Sequence, residues 1–382
     1  MVSGPYPLVP LSGVVRHRKE FIEISDDESY KRCRVQLHAK GVVLRDLVGG
    51  QEIKTKRQQV CRADDFLVAE IDAKSGGYGI VPPDLAGSVV SSHYFLFEVL
   101  TDRMDVRFLN YCLRRPRFHD QVVAKGSTNY AAVRPADVVA YLIPLPRLDE
   151  QRRIVAWIEA LAGKIEAARG LRLEAESEMR SLLVSVYHNV VEGCAVHAMA
   201  DVAPLVRRPQ DVKEDGIYHE LGIRSFGRGT FHKPSVSGLE LGTKRIFRIQ
   251  HNDLLFNIVF AWEGAVAVAS TADDGRVGSH RFLACVPQGG IATPRFLAYH
   301  FLTDQGLASL GEASPGGAGR NRTLGLKALE AIQVPVPDFG LQLRFDKLLA
   351  QTDAVERLRS QATAELDALL PSVLERAFSG GL

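Results

Sequence analysis

The sequence predicts an α+β protein: two α/β modules, each followed by a long helix of coiled-coil character, together forming an internal repeat. Three observations predict it. A proline-free stretch of heptad spacing follows the hinge Ile143-Pro144-Leu145-Pro146. The hinge and helix return 334 − 143 = 191 residues later. The strand-rich marks of residues 1–142 recur in the same order through residues 195–333.

The first helix is expected over 148–190. After Gln151 no proline occurs until Pro204, and apolar residues fall at Ile154, Ile158, Leu161, Ile165, Ala168, Ala175, Met179, Leu182 and Val186. These alternate steps of four and three make a seam for a second helix, with Arg172 in the one polar slot. Asp149 and Glu150 sit where the helix dipole favours negative charge. Gly163 and Gly170 each cost about 1 kcal/mol against alanine, which calls for a long packed partner.

That partner is expected in the same chain, over 341–378. Val334-Pro335-Val336-Pro337 repeats the hinge, and at the same offset Gln151 falls on Gln342, Leu183 on Leu374 and Tyr187 on Phe378. Its seam reads Phe345, Leu348, Val355, Leu358, Ala362, Leu366, Leu369 and Val373. Pro371 should kink or interrupt it, and Ser379-Gly380-Gly381 should stop it.

In the first module, residues 66–71 and 91–99 read as strands, with Gly76-Gly77-Tyr78-Gly79 as a tight turn between them. Residues 106–123 have helical spacing broken at Pro116, before a polar loop over 125–130. The second module replays this order. Thr55-Lys56-Arg57 returns as Thr243-Lys244-Arg245, 243 − 55 = 188 residues on. Asp65 returns as Asp253, Gly76 as Gly264, and Arg107-Phe108-Leu109 as Arg295-Phe296-Leu297. Ser92-His93 returns as Ser279-His280, one residue out of that offset, and the polar loop as 315–322. The frame is shared and the side chains within it differ, as expected of two modules doing one job on two targets.

The 382 residues suggest two or three domains. Cys33, Cys61, Cys112, Cys194 and Cys285 form no CxxC pair and no metal spacing, which fits reduced thiols in a cytoplasm. Residues 1–10 carry no basic n-region and no apolar h-region, so no signal peptide is expected. No apolar run reaches about 18 residues, so no membrane span is expected. The net charge of +2 neither demands nor excludes a nucleic-acid partner.

Catalytic motifs are not found. Gly163-Lys164 lacks the rest of a Walker loop, and Gly316-Gly317-Ala318-Gly319 does not follow a strand as a dinucleotide fingerprint requires. No Asn-Pro-Pro-Tyr tetrad of adenine methyltransferases occurs. Asp64-Asp65, Glu70, Asp72 and Lys74 faintly resemble a metal-dependent nuclease set, but a strand edge followed by an exposed lysine explains them more simply. His93 and His280 suit a structural role as well as a DNA contact. No catalytic and no metal-ligating residue is expected.

The residues that suit a ligand are basic, amide and aromatic. Lys40, Lys54, Lys56, Arg57, Lys74, Tyr78, Lys125 and Asn129 fall in loops of the first module. Arg224, Arg228, His232, Lys233, Lys244, Arg245, Trp262, Arg281, Arg320, Asn321 and Arg322 fall in loops of the second. Such types fix phosphates and read base edges, although each also suits ordinary solvated surface. The tract Ser225-Phe226-Gly227-Arg228-Gly229-Thr230-Phe231-His232-Lys233 interleaves cations with aromatics, and its glycines allow close backbone approach.

Paired helices, each after a Pro-x-Pro hinge and an α/β module, resemble the specificity (S) subunit of type I restriction–modification systems. The resemblance spans essentially the whole chain. It rests on Ile143-Pro144-Leu145-Pro146-Arg147-Leu148-Asp149-Glu150-Gln151-Arg152-Arg153-Ile154-Val155 and the tail Leu374-Glu375-Arg376-Ala377-Phe378-Ser379-Gly380. Gly340-Leu341-Gln342 departs from Asp149-Glu150-Gln151, which implies a weaker cap on the second helix. The resemblance implies target recognition domains over 1–145 and 193–337, with spacer helices over 146–192 and 338–382. Each domain would read one half of a split double-stranded DNA sequence. The helices would lie antiparallel, set the spacer and dock two modification (methyltransferase) subunits. Restriction/translocase subunits would join them. S-adenosylmethionine, ATP and Mg would belong to those partners, and this chain would be non-catalytic, binding no cofactor. Two other readings stay open: a scaffold with two peptide- or protein-binding modules, and the recognition part of an enzyme whose catalytic domain lies elsewhere.

Overall fold

The computed structural model of the chain describes residues 6–123, 132–316 and 322–378. It divides into two compact units, residues 1–172 with 361–382 (unit 1) and residues 173–360 (unit 2). Each unit therefore holds one end of each long helix.

Unit 1 contains β1 (Leu8–Pro10), β2 (Val15–Arg18), β3 (Phe21–Glu23), β4 (Ser29–Gln36), β5 (Gly41–Gly49), β6 (Arg57–Val60), β7 (Phe66–Ala69), β8 (Tyr78–Ile80), β9 (Val89–Val90), β10 (Tyr94–Val99) and β11 (Leu142–Pro144). Its helices are α1 (Val106–Leu113), α2 (Pro116–His119), α3 (Pro135–Ala140) and the start of α4 (Leu148–Val191). Its sheets run β1-β11, β2-β10-β7-β8 and β3-β6-β9-β4-β5. Strand β7 is buried at every position, as a continuous apolar run requires. Against it pack Phe97, Phe108 and Leu109, together with Ile154, Val155 and Ile158 of α4, in one core.

Unit 2 contains β12 (Ala195–Ala198), β13 (Leu205–Val206), β14 (Pro209–Gln210), β15 (Ile217–Ile223), β16 (Thr230–Ser237), β17 (Ile246–Arg248), β18 (Leu254–Asn257), β19 (Val266–Val268), β20 (Val277–Ser279), β21 (Phe282–Cys285) and β22 (Gln333–Val336). Its helices are α5 (Met199–Val202), α6 (Gly238–Leu241), α7 (Pro294–Leu302), α8 (Asp304–Glu312), α9 (Leu326–Ala331) and the start of α10 (Phe339–Phe378). Its sheets run β12-β22, β13-β21-β18-β19 and β14-β17-β20-β15-β16, the topology of unit 1 strand for strand. Even the parallel pair recurs, as β4 with β9 and β15 with β20.

The hinges recur atom for atom. Gln151 is fully buried; its Oε1 accepts the Asp105 N–H at 2.8 Å, and its Nε2 donates to the carbonyls of Arg103 and Pro146, both at 2.9 Å. Gln342 is fully buried too; its Oε1 accepts the Thr293 N–H at 3.0 Å, and its Nε2 donates to the carbonyls of Ile291 and Pro337, both at 2.9 Å. Asp105 and Thr293 are the N-caps of α1 and α7. One glutamine per unit thus ties the start of a long helix to the start of a module helix, satisfying backbone groups that burial would otherwise leave unpaired.

Several expectations are corrected. Tyr78 and Gly79 belong to β8, not to the turn. The second strand begins at Tyr94, after a turn over 91–93. The structural partner of His93 is Arg281: Glu70 donates its N–H to the His93 carbonyl as Ile258 does to that of Arg281, so the offset here stays at 281 − 93 = 188 and the Ser-His match is fortuitous. In α4 the buried residues pass from Ile154, Ile158 and Ile165 to Leu183 and Tyr187, while Leu182 stays exposed. A straight helix drifts about 20° per heptad, so four heptads turn the stripe by roughly one residue. Val355, Leu358 and Leu369 of α10 are likewise exposed.

Helix α10 also runs unbroken through Pro371. Beyond it, Val373, Ala377 and Phe378 are buried, and Phe378 meets Phe108 with ring centroids 5.0 Å apart. This packing offsets the lost backbone bond. The cap of α10 is Asp338, whose carboxylate accepts the N–H groups of Gly340 at 2.9 Å and Leu341 at 3.3 Å. Among the described residues nothing lies within 4 Å of a Cβ placed at Gly163 or Gly170, so both glycines sit off the packed stripe that buries Ile158 and Ile165. The expected stop at Ser379-Gly380-Gly381 lies outside the described residues. No helix of the described residues is long and apolar enough to cross a membrane.

Candidate nucleic-acid interface

Each unit projects one hairpin whose tip is pinned to the turn after the buried central strand. In unit 1, β4 and β5 close at the pair Gln36–Gly41, leaving Leu37-His38-Ala39-Lys40 as the tip. The N–H groups of His38 and Ala39 donate to the carbonyls of Ser75 and Gly76 at 2.8 and 2.9 Å. In unit 2, the Arg224 N–H donates to the Gly229 carbonyl at 3.0 Å, leaving Ser225-Phe226-Gly227-Arg228. The N–H groups of Phe226 and Gly227 donate to the carbonyls of Glu263 and Gly264, again at 2.8 and 2.9 Å. Gly76 and Gly264 end the pinning turns with φ of 79° and 75°, a region open to glycine.

This pinning brings Lys40 beside the turn that carries Lys74, and both are exposed. Arg34, His38, Lys40, Arg45, Asp72 and Tyr94 line a shallow groove there. Arg45 and Tyr94 also line a second groove with Lys54. Lys56 is committed elsewhere: it pairs with Asp26 and donates to the Gly50 carbonyl at 2.8 Å. Arg57 lies over the Phe21 ring at 4.4 Å. Tyr78 is withdrawn from the candidate surface: it is 2% exposed, packed among Phe66 and Phe118 with its hydroxyl 3.5 Å from His119 Nδ1. Burial pushes its hydroxyl well above the usual phenol range. Lys125 and Asn129 lie outside the described residues.

In unit 2, Arg224 and Arg228 flank or belong to the pinned tip, and Trp262, in the pinning turn, carries Arg322 over its ring. Arg224 lies over Phe231 at 4.8 Å, Arg228 over Phe226 at 5.7 Å, and Arg322 over Trp262 at 5.3 Å. Trp262 sits in the pinning turn and donates its indole N–H to the Val259 carbonyl at 3.0 Å. His232 is 2.9 Å, through Nε2, from the buried Asp273, which commits that nitrogen to the frame. Hydrogen bonds from Ser270, His232 and Thr230 hold the Asp273 carboxyl below its usual range, although burial acts against them. Lys233 is half-buried on β16, whereas Lys244, Arg245 and Arg281 are exposed on loops away from the tip in sequence. Arg320 and Asn321 lie outside the described residues. The sequence reading passed over His38, Arg34 and Arg45, and it placed Phe226 only within a tract. A short loop closing two strands is the signal that marks the two tips.

The carboxylates of the nuclease-like set do not converge. Asp65 pairs with Arg18, and Glu70 accepts from His93 at 2.8 Å. The repeat assigns Asp65 a framing role, since Asp253 pairs with Arg208 at 2.7 Å in the same place. No group of three or more metal-ligating side chains occurs among the described residues. All five cysteines are free thiols, and Cys33 and Cys61, far apart in sequence, approach to 3.5 Å in the core.

A scan against protein-family models finds no match, and a search of curated proteins finds none. Solved structures do match. The HsdS subunit from Thermoanaerobacter tengcongensis is similar over 100% of both chains, at 23% identity and a TM-score of 0.66. A chain from a structure of complex assembly and conformational transition in the type I restriction–modification system is similar over 100% of both chains, at 21% identity and a TM-score of 0.72. Over its whole length, therefore, the chain has the fold of the HsdS subunits of type I restriction–modification systems.

Proposed function

We propose that the chain is the specificity subunit of a type I restriction–modification complex, and that each unit's module binds one half of a bipartite double-stranded DNA target. The observation that carries this reading is the full-length likeness to the HsdS fold. The repeated topology, with different side chains on matching tips, supports it. In this reading the chain does no chemistry. Methyl transfer from S-adenosylmethionine belongs to two modification subunits, and ATP- and Mg-dependent translocation to restriction subunits. Leu171, Leu173, Leu182 and Leu358 are more than half exposed on the long helices and support docking of the modification subunits there. The spacer-helix and recognition-domain boundaries at 145, 192 and 337 belong to the same proposal.

The test is to co-express the chain with its modification subunit in a methylation-free host and sequence the methylome. Methylation should appear at one bipartite motif. Methylation by an active partner without any motif dependence on this chain would refute the reading, and would favour a scaffold. Helix length offers a finer test. Four residues inserted near Glu174 add about 6 Å of helix. At about 3.4 Å per base pair, the spacer should then grow by roughly one to two base pairs, with both half-motifs unchanged.

A further inference from the structure

We infer that the second residue of each pinned hairpin tip, His38 in unit 1 and Phe226 in unit 2, is the base-reading side chain of its module. This rests on the DNA-binding reading above and goes beyond it by naming the residue and the contact. The two positions correspond, 226 − 38 = 188 residues apart. Both have a φ of 61°, in the left-handed region, and each is followed by a second left-handed residue, Ala39 at 54° and Gly227 at 64°. Two successive left-handed residues are what a tight hairpin turn of the primed type needs, and Asn-Gly is the pair that suits it. His-Ala is a poor choice at both positions and Phe-Gly at the first, since a bulky residue is rarely found there. The tip keeps this conformation because the backbone hydrogen bonds to the neighbouring turn impose it.

A side chain placed against local preference, and held by the surrounding frame, belongs with functional strain. Its exposure agrees. Phe226 is 70% exposed, an aromatic ring on a fixed projection with nothing to gain from solvent. His38 is exposed as well. Each tip ends in a cation, Lys40 in one and Arg228 in the other. A cation next to a presented ring or imidazole suits a phosphate next to a base. Phe226 then takes apolar base surface, a thymine methyl or an opened base step, and His38 takes a hydrogen bond from a base edge. Pinning means that neither tip has to be ordered on binding.

The test uses the full chain and a pool of randomised duplex DNA, with retained duplexes sequenced for the wild type, Phe226→Asn, His38→Asn and, as a control, Leu239→Asn. Asparagine tolerates the left-handed region, so both tip variants should unfold at or above the wild-type temperature. Phe226→Asn should alter base preference at one or two adjacent positions of one half-motif by about fivefold or more, and His38→Asn should do so only in the other half. Leu239, 73% exposed on α6, should leave the motif unchanged when substituted. A wild-type bipartite motif that both tip variants keep, or lose only in overall affinity, overturns this inference and leaves the DNA-binding reading standing. A wild-type chain that selects no motif overturns both.

Discussion

The two units share a frame and differ in what fills it. In unit 2, the buried Asp273 carboxylate accepts from Thr230 Oγ1 at 3.0 Å, His232 Nε2 at 2.9 Å, and the N–H and hydroxyl of Ser270 at 2.9 and 2.8 Å. At the offset of 188 these four residues become Leu85, Val42, Leu44 and Pro82 in unit 1, where Val42 and Leu85 belong to an apolar cluster. Likewise Tyr187 Oη lies 2.6 Å from His300 Nδ1 in unit 2, where unit 1 has the apolar pair Phe378 and Cys112. The buried glutamines and the Arg18–Asp65 and Arg208–Asp253 pairs do not vary in this way. Groups that satisfy backbone or hold a turn are dictated by the frame. The Asp273 cluster can be apolar in the other copy because Pro82, in place of Ser270, has no N–H to satisfy, so either solution is self-consistent.

The largest effect should come from the glutamines. Gln151→Leu and Gln342→Leu each strand one buried N–H and two carbonyls, and each should cost on the order of 4 kcal/mol. Denaturant titrations followed through Trp157 in unit 1 and Trp262 in unit 2 would measure the two costs. A difference greater than about 2 kcal/mol would break the equivalence of the hinges.

Asp273→Leu should cost about 3 kcal/mol, since the Ser270 N–H and the side chains of Thr230 and His232 lose a buried acceptor. Adding Thr230→Val and His232→Leu, which copies three of the four unit 1 residues and leaves Ser270, should restore part of the loss. A triple variant no better than the single one would show that the apolar solution does not transplant.

A pH experiment sharpens the contrast at His300. Burial lowers its pKa from 6.5 to about 4. Above pH 6.5 the ring is neutral in both folded and unfolded chains, and this site's contribution is complete. As pH falls from 6.5 towards 4 the unfolded chain takes up the proton first, so stability is lost across that window, by up to about 3 kcal/mol. Melting of a Trp157→Phe chain, followed through Trp262 at pH 7 and pH 4.5, should show the loss. The double variant Tyr187→Phe with His300→Cys should be less acid-sensitive. An unchanged pH dependence in that variant would place the acid sensitivity elsewhere.

The smallest effect concerns the long helix. Gly163→Ala and Gly170→Ala should each raise stability by about 1 kcal/mol, since a Cβ meets open space at both. A loss would reveal a close approach made only in an assembly.

By itself the sequence determined the repeat, the two long helices, the breaks at Pro116 and at the hinges, and the equivalence of Gln151 with Gln342 and of Asp65 with Asp253. These follow from local periodicity and from self-similarity, which need no knowledge of the partner surface. Tertiary structure alone decided which face of α4 is buried at its far end, because a small twist accumulates along the helix until Leu183 replaces Leu182. It also decided that Tyr78 fills the core, that Asp338 caps α10, that His93 corresponds to Arg281, and that His38 and Phe226 stand on matching tips. Each of these depends on a hydrogen bond or a packing contact whose partner no spacing rule identifies.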